Sequence, residues 1–154
     1  MDIRNFSFGS AAAVVTSLGL IIGFDEASAS RATILGGLLI VALADNLTDS
    51  LSMHMYQESE HLDTRKAFRA TMTNFATRLC LSLSFVSLIV VLPLHVAVVA
   101  SLAWGFLLLM GLTYVLAKTR NRPVVSELLK HLAAAVIVLV ASRAIGHFIA
   151  SQGW

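Results

Sequence analysis

Asp45, Asn46, Asp49, Ser50, Ser52 and Met53 stand inside residues 34–60, ILGGLLIVALADNLTDSLSMHMYQESE, which begin as an apolar helix and never lose helical rhythm. A helix advances about 100° per residue, so Asp45, Asp49 and Met53 share one stripe at i, i+4 and i+8. Asn46, Ser50 and Gln57 flank that stripe and are expected to line a path along it. Carboxylates inside a membrane span are costly and rarely face lipid, so a pair of them marks an ion or proton route. Two hard oxygen donors and a soft thioether suit a transition metal, whereas Mg²⁺ or Ca²⁺ would take oxygen alone. The expected metal ligands are therefore Asp45, Asp49 and Met53. Glu58, Glu60, His61 and Asp63 follow in the next connector, where they can gather cations at a cytoplasmic mouth.

Each of these residues also has a plainer reading. Asp45 and Asp49 can hydrogen-bond a neighbouring helix or pair with Arg78, which otherwise snorkels from the inner end of its span. Met53 can be a packing methionine, and His54, nearly opposite Asp45, is interfacial. Asn46, Ser50 and Ser52 can make interhelical hydrogen bonds. Glu127, Lys130 and His131 fall within one helical turn and form a local interfacial cluster.

The elements that position these residues are membrane helices. The 154 residues are 57% hydrophobic and 13% charged, with a mean hydropathy of +0.81. Soluble domains run nearer 45–50% apolar and about 25% charged. Five spans are expected at about 6–24, 31–56, 68–92, 95–117 and 124–150, forming a single transmembrane domain over 1–154. The first is rich in small residues (Gly9, Ser10, Ala11, Ala12, Ala13, Gly19, Gly23) and should pack deep in the bundle. The fourth is the most uniformly apolar and is expected to be the most exposed to lipid.

Positive charge sets the orientation. A cytoplasmic N-terminus collects Arg4, Arg65, Lys66, Arg69, Lys118, Arg120, Arg122 and Lys130 on the inside, leaving Arg31 and Arg143 outside. The C-terminus is then outside. The formal net charge of +2 gives no reason to expect nucleic acid. The single cysteine, Cys80, excludes an intrachain disulfide and any cysteine-based zinc motif. No catalytic constellation is present: no Gly-rich phosphate loop, nucleophile elbow or His-Glu-x-x-His motif. An enzyme is not expected. The first apolar run reads as a span rather than a cleavable signal. With the compact size and short second connector, this favours a prokaryotic inner (plasma) membrane.

With the residues laid out, the chain resembles the vacuolar iron transporter family, proton-coupled exporters of Fe²⁺ and Mn²⁺. Phe8-Gly9, Val15-Thr16-Ser17-Leu18-Gly19-Leu20 and Gly23 resemble that family's first span. Asp49-Ser50-Leu51-Ser52-Met53 resembles its second-span motif, and this is the more specific match. Leu92-Pro93 is similar to the end of its third span. Arg122-Pro123 and Ser142-Arg143-Ala144-Ile145-Gly146 resemble the two ends of its fifth. The resemblance implies a five-helix protomer, a ten-helix homodimer and a metal path at the dimer interface lined by first and second spans. It gives Asp49 and Met53 roles in that path, with Fe²⁺ or Mn²⁺ as cargo and no permanently bound cofactor.

Three departures touch the chemistry. Ala12 stands where the family has a first-span acid, and Gln57 stands where it has a glutamate after Leu-Ser-Met, with Glu58 one step on. About ten residues fill the gap where eukaryotic members carry a glutamate-rich metal-binding domain. Asp45, one turn before Asp49, is an added carboxylate that can replace what Ala12 lacks. The competing expectation is a relative that no longer transports and serves as a membrane interaction or metal-sensing subunit. A third is a transporter of another solute, with Asn46 and the small-residue first span lining a polar path.

Overall fold

The computed structural model of the protein describes residues 9–59 and 64–153. Five helices follow one another: α1 (Ser10–Glu26), α2 (Arg31–Ser59), α3 (Thr64–Val91), α4 (Leu94–Thr119) and α5 (Val124–Ser151). Short connections make successive helices antiparallel neighbours, and the described residues are helical apart from these turns. Four helices are long and apolar enough to cross a membrane: α2, α3 from Ala67 onward, α4 and α5. Their lipid-compatible exterior includes Ile40, Val91, Val99, Val125, Ile137 and Phe148. α1 has 17 described residues, about 25 Å of helix at 1.5 Å per residue. Residues 6–8 of the expected first span lie outside the described residues.

Local chemistry explains where the helices stop and start. α1 ends at Ser28 in the left-handed region, with Ala29 N–H donating to the Phe24 carbonyl and Ser28 N–H to that of Asp25. α4 ends the same way at Asn121, with Arg122 N–H donating to Ala117. Both are Schellman closures, which satisfy carbonyls the helix leaves open. The Ser30 hydroxyl accepts from Thr33 N–H and caps α2. Pro93 and Pro123 stand immediately before α4 and α5. Arg31 donates to the Leu92 carbonyl at 2.9 Å, tying the start of α2 to the end of α3.

α1 touches all four other helices and buries Ala13, Val14, Ser17, Leu18, Gly19 and Ile21, as its small residues led us to expect. It packs closely on α5 at Gly146, where an added methyl group would strike the Gly23 carbonyl. Glu26 at the end of α1 pairs with Arg143 of α5 at 3.1 Å. The expectation for the fourth span is corrected. A third of the apolar stretch of α4 (33%) is buried, against 11% of that of α5, so α5 is the more exposed. The reason is side-chain size: Ala97, Ser101, Gly105, Thr113 and Ala117 of α4 let its neighbours approach closely.

Candidate functional site at the α2–α3 hairpin

α2 buries Ile34, Leu38, Ala42, Asn46, Ser50, Met53 and Gln57, a stripe at helical spacing. α3 answers with Ala67, Ala70, Thr71, Asn74, Arg78, Ser82, Phe85 and Ile89. Because the helices are antiparallel, the apolar ends of the two stripes meet, and so do the polar ends. The junction lies at Asp45, the central residue of α2.

Arg78 occupies that junction with its side chain 1% exposed. Its Nη2 donates to Asp45 at 2.5 Å, and Nη1 donates to Asp49 and to the Gly9 carbonyl. Nε donates to Asn46 Oδ1 at 2.8 Å, while Asn46 Nδ2 donates to the Ala42 carbonyl of its own helix. That second bond fixes the amide so that its oxygen faces the guanidinium. Gly9 has φ of 77°, which strains a side chain, and a Cβ there would press on Arg78 Nη1, so glycine suits the position. Of the two readings of Arg78, snorkelling is therefore set aside: its head is turned inward and clasps α1, α2 and α3 together. Two carboxylates against one guanidinium leave the clasp one net negative charge.

The carboxylates themselves are not enclosed. The side chains of Asp45 and Asp49 are 44% and 41% exposed, beside the outward row Leu43, Leu47, Leu51 and Met55. Met53, expected on their stripe, falls instead on the buried seam at 8% exposure. Four residues turn a helix by about 400°, so each i+4 step drifts about 40°. Two steps carry Met53 round from the outward face into the α3 contact. Gln57 is buried, whereas Glu58 is exposed and pairs with His54 Nε2 at 3.4 Å. Ser52 donates to the Thr48 carbonyl one turn back. Glu60, His61 and Asp63 lie outside the described residues. No group of three or more His, Cys, Asp or Glu side chains converges among the described residues. Glu127 and Lys130 do form a local pair, at 3.1 Å.

Thr71 and Asn74 are the residues that the reading of α2 alone misses. Ser50 Oγ, His54 Nδ1, Gln57 Oε1, Thr71 Oγ1 and both side-chain polar atoms of Asn74 are buried without a protein partner. A buried polar atom left dry costs about 1–3 kcal/mol. Six of them would rival the roughly 5–15 kcal/mol that holds a native protein together. The spacing of Thr71, Asn74, Arg78 and Ser82 at i, i+3, i+7 and i+11 is the signal that finds them. It is a polar stripe on α3 that matches the one on α2.

No family model matches the chain, and comparison with curated proteins and solved structures found no match.

Proposed function

We infer that this chain is a membrane transporter that moves Fe²⁺ or Mn²⁺ out of the cytoplasm, as a homodimer of five-span protomers. One observation carries the reading: two half-exposed carboxylates stand at the midpoint of an apolar helix. Carboxylates there avoid lipid and face a polar cavity or a partner. A second copy is the simplest partner, because a two-fold axis brings the same patch face to face with itself. Each clasp carries one net negative charge, so two facing clasps match the charge of one divalent ion. Asp45 and Asp49 supply oxygen ligands, which suit Mn²⁺, while Met53 faces the α2–α3 seam rather than the outward path.

Ala12 is exposed on α1 and cannot ligate, so Asp45 takes over the acid missing there. If Asp45→Asn leaves transport intact while Asp49→Asn abolishes it, that compensation is wrong. The ion competes with protons for the same oxygens, which couples export to proton entry. The orientation follows from the positive charges, with the N-terminus cytoplasmic in a prokaryotic inner membrane.

A second reading has its own observation. Arg78 already engages both carboxylates, which suits a structural clasp in a membrane subunit that does not transport. Mn²⁺ binding to the purified protein, followed by loss of the free-ion paramagnetic resonance signal, separates the two. The transporter reading expects one Mn²⁺ per two chains, lost in Asp49→Asn. Absence of binding to the intact wild-type protein would favour the structural clasp.

A further inference from the structure

The α4–α5 turn concentrates cations that the protein itself does not neutralise. Residues 118–130 hold four of them, Lys118, Arg120, Arg122 and Lys130, against one carboxylate, Glu127, which leaves three net positive charges. Lys130 takes Glu127 at 3.1 Å. Elsewhere basic residues find partners inside the protein: Arg31 the Leu92 carbonyl, Arg78 two aspartates, Arg143 Glu26. Among the described residues, Lys118, Arg120 and Arg122 make no ion pair, and all three are exposed.

Positive charges that only set orientation in the membrane need no fixed geometry. These are fixed. Asn121 adopts the left-handed conformation at φ 49°, and Arg122 N–H donates to the Ala117 carbonyl at 2.9 Å, which closes the turn onto the end of α4. The Lys118 ammonium lies back over the Tyr114 ring, 5.9 Å from its centroid, within cation–π reach. That contact holds the charge one helical turn toward the bilayer, where tyrosines sit at headgroup level.

The surface continues beneath the turn as an apolar strip. Lys118, Tyr114, Gly111 and Leu107 recur at helical spacing on one exposed face of α4. At Gly111 an added Cβ would meet nothing within 4 Å, so the strip is notched there. From Lys118 to Leu107 it runs roughly 16 Å at 1.5 Å per residue, close to the depth of one leaflet's hydrocarbon, about 15 Å.

We propose that the α4–α5 turn binds an anionic phospholipid. Its phosphate lies against Lys118, Arg120 and Arg122, and one acyl chain runs along Tyr114, Gly111 and Leu107. Guanidinium groups grip phosphate oxygens through paired N–H bonds, and grouped cations beside a span draw anionic lipids. A free phosphate would use the turn alone, whereas the aromatic and apolar strip below it suits a lipid. This goes beyond metal transport and does not rest on it.

The test titrates the purified protein in detergent micelles with phosphatidylglycerol or phosphatidylcholine of the same chains, and counts bound lipid by native mass spectrometry. One Lys or Arg beside an anionic headgroup is worth about fivefold in binding. Phosphatidylglycerol should then bind about tenfold tighter than phosphatidylcholine or better. Arg120→Gln and Arg122→Gln should each weaken phosphatidylglycerol about fivefold and leave phosphatidylcholine unchanged. Arg69→Gln, at an exposed cation near the start of α3, should weaken it less than about twofold. Glycerol 3-phosphate in excess should leave the bound lipid in place. Equal affinity for the two lipids overturns the proposal. Equal losses in Arg69→Gln and Arg122→Gln overturn it too, by reducing the effect to net charge. So does displacement by glycerol 3-phosphate, which would make the turn a free-phosphate site.

Discussion

Neutralising Asp45 and Asp49 together should destabilise the protein by much more than the sum of the two single changes. Arg78 is 1% exposed and meets two carboxylates and two neutral oxygens, those of Asn46 and Gly9. Asp45→Asn or Asp49→Asn alone leaves one carboxylate to balance the guanidinium. Each exchanges a charge-assisted hydrogen bond for a neutral one, at about 1 kcal/mol. The double variant leaves a buried cation with no counter-charge, which costs about 3–5 kcal/mol. A chain of this size loses roughly 2–4 °C of Tm per kcal/mol. Each single change should then lower Tm by roughly 2–4 °C, and the double by roughly 6–20 °C. Adding Arg78→Met to the double removes the stranded charge and should recover most of the loss. The assay is thermal unfolding in detergent micelles, followed by helical circular dichroism. A double variant no worse than the sum of the singles would refute the reasoning. A triple variant no more stable than the double would refute it equally.

Gly146→Ala should also destabilise the bundle, by about 1–3 kcal/mol. Its Cβ would press into the Gly23 carbonyl of α1, and the same unfolding assay reads it, with unchanged Tm as the contrary result. On the proposed transporter reading, metal export should speed up as cytoplasmic pH rises, because a larger inward proton gradient then drives the exchange. Initial rates in liposomes at a series of pH values on the loading side check this, and a flat profile contradicts proton coupling.

The unusual character of α2 is legible from residue types alone, since Asp45 and Asp49 interrupt an otherwise apolar run. The helix order and approximate limits are legible too, through hydropathy, Pro93, Pro123 and the turn residues. Direction is harder. Hydropathy says that α4 is apolar but not which way it faces, and its small residues placed it further inside than α5. The i, i+4, i+8 rule groups Asp45, Asp49 and Met53, yet its accumulated drift turns Met53 onto the buried seam. Arg78 was ambiguous because its partners lie on another helix. Only the hairpin register, which aligns the polar stripes of α2 and α3, brings it to the two aspartates. The same alignment exposes Thr71 and Asn74, whose significance depends on what stands opposite them.

The most direct test of the central claim is metal flux through the purified protein in liposomes. Fe²⁺ and Mn²⁺ movement is followed against an imposed pH gradient, with Asp49→Asn alongside. Gradient-dependent flux in the wild type, lost in Asp49→Asn while the protein stays folded, is the predicted result. No flux through a folded wild-type protein, or equal flux through the variant, would contradict it.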